Sequence, residues 1–421
     1  ALVSFNLDSF TSFGHEQGDN APVSELAAAK YTTALNRFLE RDSGHRIQIG
    51  DASTVFWADA SGTETAELAE SLFEAIVGGV DEGMQAAKVG DILHKVRAGA
   101  QIKHISPELE KGVRFYVLGL APNAARLSVR YWFDDDFGVL AEHYEAYVKD
   151  MAFEPWPTGR PTPTIKSCVL RTGIGRRERG GQLKFDTDSI SPLLSGELLR
   201  AILTGARFPL SLLAHLLMRI RSDHVLDSTR IALVKGLLVR TMRIENRLPR
   251  HRDGTPMEDY LVRSDPNDQN EARRLGRLFA VLERAQLASL GDEINTTIKD
   301  KFLGTACATP GQVMADLIKF SQHHTKRLRN GHSDAAWIAA NAKKQGIPVP
   351  VLARRVGAAL DADIGRLTAS FNDGFSQQHS SEEQGLFLVG YYQERFGGKA
   401  DPESGDKPDT DSDGTAINRE E

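Results

Sequence analysis

The segment Leu275-Gly276-Arg277-Leu278-Phe279-Ala280-Val281-Leu282-Glu283-Arg284-Ala285-Gln286 carries two opposed faces. At about 100° per residue, Leu275, Leu278, Phe279 and Leu282 fall on one stripe, the i, i+3, i+4, i+7 spacing of a helix that buries a side. Arg273, Arg277 and Arg284 fall within about 40° of one another on the opposite side. One face is suited to packing. The other presents guanidinium forks, whose planar donors match phosphate or carboxylate. The spacing predicts a bundle helix that lines an anionic partner.

Residues 310–329 repeat the arrangement. Val313, Leu317, Phe320, His324 and Leu328 form an apolar stripe, and Lys319, His323, Lys326 and Arg327 oppose it. His324 lies on the apolar stripe and reads as a hydrogen-bonded core residue. The adjacent histidines do not make a zinc site, which needs His at i and i+4 with a Glu.

Further helices are expected at 164–172, 192–204, 208–221, 228–243, 270–290, 334–344, 349–372 and 381–396. Before them, Glu154-Pro155-Trp156-Pro157-Thr158-Gly159-Arg160-Pro161-Thr162-Pro163 holds four prolines and reads as a boundary. Upstream the pattern mixes strand and helix. Residues 4–14 read as extended, Asn20 and Pro22 as a helix start running to about 39, and 54–57 as a short strand. A helix is expected from about 64 to 77, ended by Gly78-Gly79. Residues 112–120 and 126–133 read as a hairpin turning at Ala121-Pro122-Asn123, with a helix at 137–150 after it.

The fold class is therefore α+β: a mixed strand and helix N-terminal region, then a mostly α-helical region ending in a C-terminal helical bundle. The expected parts are a mixed α/β domain at 1–153, a proline-rich linker at 154–165, a basic helical region at 166–256, the bundle at 257–397 and a disordered acidic tail at 398–421.

The net charge of −6 over 421 residues conceals a strong asymmetry. Residues 219–252 hold nine bases and three acids, and residues 166–184 hold six bases and one acid. Residues 40–90 hold ten acids against three bases, and 399–421 eight against three. The local sign, not the total, locates a polyanion site. No apolar run reaches the ~18 residues of a membrane span, and no signal peptide opens the chain. Cys168 and Cys307 fit neither a disulfide framework nor a zinc site, which suits a reduced, cytoplasmic setting. The start at Ala1-Leu2-Val3-Ser4-Phe5, without an initiator methionine, reads as a fragment.

Catalytic patterns are weak. Arg171-Thr172-Gly173-Ile174-Gly175-Arg176-Arg177-Glu178-Arg179-Gly180-Gly181 looks like a phosphate loop but lacks the lysine and hydroxyl after the last glycine of a Walker sequence. It reads as a surface loop, with Arg176, Arg177 and Arg179 able to touch a nucleic-acid backbone. Asp134, Asp135 and Asp136 read as a solvated turn after a strand, with a magnesium-dependent nuclease as the alternative. A nucleophile elbow and a Cys/His pair are both missing. A binding protein without catalytic residues, metal or cofactor is expected. A protein-only scaffold whose arginines meet acidic partners is the other reading.

Matching blocks give the chain a resemblance. They are Ser4-Phe5-Asn6, Ser12-Phe13-Gly14, Asn20-Ala21-Pro22-Val23-Ser24 and Tyr31-Thr32-Thr33-Ala34-Leu35-Asn36. Leu118-Gly119-Leu120-Ala121-Pro122-Asn123-Ala124-Ala125-Arg126-Leu127-Ser128-Val129-Arg130 follows, then Arg219-Ile220-Arg221. Residues 275–284, Glu383-Gln384-Gly385 and Gly390-Tyr391-Tyr392 complete the set. By their number, order and spacing the chain resembles the large subunit of the subtype I-C CRISPR surveillance complex, Cascade.

The resemblance implies a subunit that supports engagement of the protospacer-adjacent motif and duplex, stabilises the R-loop and recruits the Cas helicase-nuclease in antiviral defence. Guide pairing would supply the sequence specificity. The implied partners are the crRNA-bearing Cascade backbone and small subunits, target double-stranded DNA and its displaced strand, and the helicase-nuclease, with no membrane. The family's amino-terminal domain normally precedes the Ser4-Phe5-Asn6 block and holds much of the motif-reading surface. Without it, direct motif reading is not expected of this piece. The resemblance further implies that the C-terminal helices can be made separately as the small subunit, from an internal start at Met257 or Met242.

The candidate nucleic-acid contacts are Arg126, Arg130, Arg176, Arg177, Arg179, Arg219, Arg221, Arg230, Lys235, Arg273, Arg277, Arg284, Lys319, His323, Lys326 and Arg327. Neutralising about six phosphates would give a salt slope near −5. Removing Arg273, Arg277 and Arg284 together is expected to flatten it.

Overall fold

The computed structural model describes residues 11–397, apart from 12, 17–18, 20–22, 50, 61, 79–91, 93–94, 97–99, 110, 124–125, 157–161, 179–181, 293, 370 and 372–373. Most of the extended segment expected at 4–14, Arg179 and the acidic tail at 398–421 lie outside the described residues, as do Asn20 and Pro22. The helix expected to start there begins instead at Glu25, capped by Ser24, whose side chain accepts from the Ala27 backbone N–H. The chain forms two compact units, residues 1–96 with 100–142 and residues 97–99 with 143–421.

The first unit is α+β. In it α1 (Glu25–Leu39) and α2 (Thr63–Gly78) accompany β1 (Arg46–Ile49), β2 (Ala52–Ala60), β3 (Val113–Asn123) and β4 (Arg126–Asp136), and α3 (Phe137–Met151) starts there. The strands form one antiparallel sheet in the order β1-β2-β3-β4. Phe56 of β2, Phe73 of α2 and Phe115 of β3 pack at ring distances of 4.8–6.4 Å and centre the core. The β3–β4 hairpin is the expected one, but it is tighter. Ala121-Pro122-Asn123 remains in the ladder, with Pro122 opposite Leu127 and Asn123 opposite Arg126. Pro122 is tolerated because β2 ends its pairing at Leu120, so no neighbouring strand needs the missing N–H.

The second unit is mostly helical: α4 (Ile165–Leu170), α5 (Pro192–Thr204), α6 (Leu210–Asp223), α7 (Ser228–Ile244), α8 (Glu271–Leu290), α9 (Ile298–Ala308), α10 (Met314–Arg329), α11 (Ala336–Gln345), α12 (Val349–Thr368) and α13 (Ser381–Phe396). α8 is its axis, packed on α13, α10 and α12, while α13 also packs on α7. Leu275, Leu278, Phe279 and Leu282 are fully buried, each contributing about 1.5–3 kcal/mol. Helix starts follow side-chain chemistry. Asn270 accepts from the Arg273 backbone N–H, and Thr297 with Asp300 and Ser380 with Glu383 close reciprocal caps.

Four further expectations need correction. Residues 174–177 of the expected loop are a strand, because Ile174–Arg177 (β5) pairs antiparallel with Leu183–Asp186 (β6). The helix α9 and the short strand β1 escape the periodicity; α9 is weakly amphipathic, and its start is written in its capping box. Asp134, Asp135 and Asp136 are the end of β4, opposite Tyr116, Phe115 and Arg114, not a turn. Phe320 does not join the buried stripe of α10, which runs through Met314, Leu317, Ser321, Thr325 and Leu328. Among the described residues no helix is long and apolar enough to cross a membrane.

Candidate nucleic-acid interface

Of the nine bases in residues 219–252, Arg230, Lys235 and Arg240 are buried and Arg219 and Arg243 half-buried, while Arg221, Arg247, Arg250 and Arg252 are exposed. Arg230 of α7 is 0% exposed and donates to both carboxylate oxygens of Asp223 at 2.7 Å. Its remaining N–H groups reach the carbonyls of Arg171, Gly173 and Val225 at 2.8–3.0 Å. Arg171 pairs with Asp227 at 3.0 Å, and both guanidiniums flank the Phe185 ring. Half-buried Arg219 donates to the carbonyls of Thr172 and Ser189, and Asp223 also accepts from the Gly175 backbone N–H. Together these bonds fix the root of the β5–β6 hairpin.

A second centre forms on Asp150 at the end of α3. This carboxylate is 0% exposed and accepts from Arg240 at 2.6 Å and Arg243 at 2.8 Å. Lys235, also buried, donates to the Lys149 and Asp150 carbonyls at 3.3 and 3.0 Å. Burial lowers its pKa to about 8, with the nearby Asp150 charge only partly opposing the shift. Sequence reasoning missed Asp150, Arg240 and Arg243 as a group, because the acid lies far from the bases in the chain.

The arginine face of α8 likewise meets its own chain. Arg273, 2% exposed, pairs with Asp268 at 2.7 Å and donates to the Gln393 side-chain oxygen at 2.8 Å. Arg277 pairs with Glu394 at 3.2 Å and donates to the Asp265 carbonyl, while half-buried Arg284 bonds the Glu394 carbonyl. Arg395 answers from α13 to Glu283. The anionic partners of this helix are Glu394 of α13 and Asp268 of the segment just before α8.

Arg230, Lys235, Arg273 and Arg277 are therefore corrected from nucleic-acid contacts to internal ties. A guanidinium without solvent access and with its donors occupied cannot reach a phosphate. Arg219, Arg284 and Arg327 are half-buried and bonded internally, Arg327 to both oxygens of Asp334 at 2.9 Å and to the Ser289 carbonyl.

The remaining candidates with described side chains are exposed. Arg176 and Arg177 project from the anchored hairpin, with exposed Lys184 opposite Arg176 in register. Arg221 is exposed at the end of α6. Arg130 pairs with Asp51 at 2.7 Å; of Arg126 only the backbone, in β4, is described. Lys319, His323 and Lys326 lie on the open side of α10. The sequence reading passed over Lys343, Lys344, Arg354 and Arg355, exposed on α11 and α12. Their signal was present, because each falls off its helix's apolar stripe.

The three aspartates of β4 do not converge. Strand pleating sends Asp134 and Asp136 to one face and Asp135 to the other. Asp134 is held by Arg114 at 2.6 Å, and Asp135 accepts from the Asp136 backbone N–H. Among the described residues no group of three or more His, Cys, Asp or Glu is placed to hold a metal ion.

Fold and site define an α+β protein with a helical C-terminal bundle, tied internally by buried arginine–carboxylate pairs and bearing surface cations on a ribbon and on helices. Residues 1–347 match the family described as CRISPR-associated protein (Cas_Csd1), and the chain belongs to that family. No curated protein matches the chain.

Proposed function

We propose that this chain is the large subunit of a subtype I-C Cascade, a cytoplasmic, non-catalytic subunit that holds target DNA. It works beside the crRNA-bearing backbone and small subunits, supports duplex engagement, stabilises the R-loop and recruits the helicase-nuclease. Family membership and the sequence blocks support the setting. The observation that carries the DNA role is the exposed row Lys319, His323 and Lys326 on α10, together with the anchored ribbon bearing Arg176, Arg177 and Lys184. Exposed cations on rigid elements supply backbone contacts that are strong at low salt and indifferent to sequence.

The separate small-subunit product is part of the same reading. Helices α10, α12 and α13 all pack on α8, and all four follow Met257. A start there would omit α7, whose Val234 and Leu238 cover Gly385 of α13. Loss of the Met257 and Met242 codons without loss of a short product would remove this part.

The DNA role is tested by titrating the full chain into duplex and single-stranded DNA at several salt concentrations, alone and with the guide complex. Binding that weakens steeply with salt supports it. Salt-independent binding, or none at low salt, overturns it.

A further inference from the structure

Phe320 breaks the burial pattern of its helix. It is 57% exposed, and among the described residues beyond Ile244 it is the one large apolar side chain left exposed. Burying a phenylalanine is worth about 1.5–3 kcal/mol, a gain this position forgoes. Its surroundings on the helix are cationic. At about 100° per residue, Phe320, His323, Lys319 and Lys326 span roughly 120° of the open side. Asp316 shares that side and reaches Lys319 at 3.7 Å, so Lys326 and His323 carry the face beyond that pair.

The axial spacing also has a meaning. Lys319 to His323 rises about 6 Å and His323 to Lys326 about 4.5 Å. Side chains that far apart can reach neighbouring phosphates of one backbone. An aromatic ring beside basic side chains is how unpaired strands are held, the basic groups on the backbone and the ring under a base. A duplex keeps its bases stacked inside and offers the ring nothing.

We infer that Phe320 is a base-stacking residue, and that the α10 face binds an unpaired nucleic-acid strand in preference to a duplex. The inference rests on the nucleic-acid reading above, in which the unpaired strand of the R-loop is already a partner, and adds the residue that selects it.

The test uses the full chain and three probes: an oligothymidylate of about 15 nucleotides, a base-free phosphodiester strand of equal length, and a duplex. The native chain is expected to bind oligothymidylate more tightly than the base-free strand. Phe320→Ala should erase that preference, with about tenfold weaker oligothymidylate binding, the scale of one base–aromatic stack. Phe320→Trp should keep the preference, and duplex affinity and thermal midpoint should not move in either variant. A preference that survives in Phe320→Ala overturns the inference. So does equal binding of both single strands by the native chain, while leaving a purely electrostatic DNA face standing. No binding of any probe at low salt overturns the DNA role itself, and the inference with it. Unchanged probe binding with loss of a protein subunit from the assembled complex would make the face a protein contact instead.

Discussion

Gly276 of α8 crosses Phe387 of α13 so closely that a Cβ on Gly276 would lie 2.0 Å from the Phe387 carbonyl oxygen. The contact is reciprocal, since a Cβ on Gly390 would lie 2.3 Å from the carbonyl oxygen of Arg273. Two backbones touch here, so neither can yield by turning a side chain. This close crossing gives the Leu275-Gly276 and Gly390-Tyr391-Tyr392 blocks a joint structural reason. It also brings Arg273 within reach of Gln393 and Arg277 within reach of Glu394.

Gly276→Ala is therefore expected to destabilise the protein by about 3 kcal/mol, the upper range for overpacking a tight core. Gly365 of α12, with open space around its Cα, provides the contrast. There alanine should stabilise by roughly 0.5–1 kcal/mol. Urea unfolding of both variants measures the difference, and equal midpoints would show that the helices can slide apart at little cost.

Removing one member of a buried pair leaves a charge stranded. Arg230→Ala leaves Asp223 stranded and Arg277→Ala disturbs Glu394, and a broken buried pair costs about 3–5 kcal/mol. Arg277→Ala should fall at the low end, because Glu394 keeps Arg284. Neither change should alter the salt slope of DNA binding in whatever fraction stays folded. A flattened slope with full stability would return these arginines to the interface.

Much of the fold was legible because periodicity records burial. The helices α5 and α13 begin and end where apolar spacing and caps place them, and the β3–β4 hairpin follows its β-rich runs. The site was legible only in part. A one-dimensional charge count gives 219–252 nine bases, yet cannot see Asp150 arriving at Arg240 and Arg243, or Asp223 folding back on Arg230. A stripe of arginine reads alike whether it faces a phosphate or the carboxylate of a neighbouring helix. Phe320 failed for a related reason: periodicity fixes its angle on α10, but not where the packing partners of that helix end.

Lys319 and Lys326 are exposed and belong to no buried pair, so their removal should be felt only by the ligand. Each phosphate that is no longer neutralised lowers the salt slope by about 0.9 on a duplex and by about 0.7 on a single strand. Lys319→Ala with Lys326→Ala should thus reduce the slope by about 1.8 on a duplex and about 1.4 on a single strand, with stability unchanged within about 0.5 kcal/mol. Binding isotherms across a salt series measure it, and an unchanged slope would place the DNA on another face.

Lys235 makes a prediction in pH. Its ordinary pKa of 10.5 falls to about 8 because burial disfavours the charged amine more than the Asp150 charge restores it. Below pH 8 the lysine is protonated both folded and unfolded, so the folded state carries the full penalty, roughly 3 kcal/mol for the gap between 10.5 and about 8. Between about 8 and 10.5 the unfolded chain keeps a proton that the folded chain has lost, and stability must rise with pH. Cys168 and Cys307 act in the opposite sense. Burial raises both thiols from 9.0 to about 12, so above pH 9 the unfolded chain sheds protons that the folded chain holds, and stability falls. The rise from Lys235 is visible only between about pH 8 and 9. Lys235→Met keeps the length of the side chain and removes the charge. Against that gain, the Lys149 and Asp150 carbonyls lose a donor, at about 1 kcal/mol each. The variant should be more stable than the native chain by about 1 kcal/mol at pH 7, and the difference should shrink as pH approaches 9. Urea midpoints at about pH 7, 8 and 9 decide it: a difference that stays constant across that range would mean Lys235 does not change its protonation there.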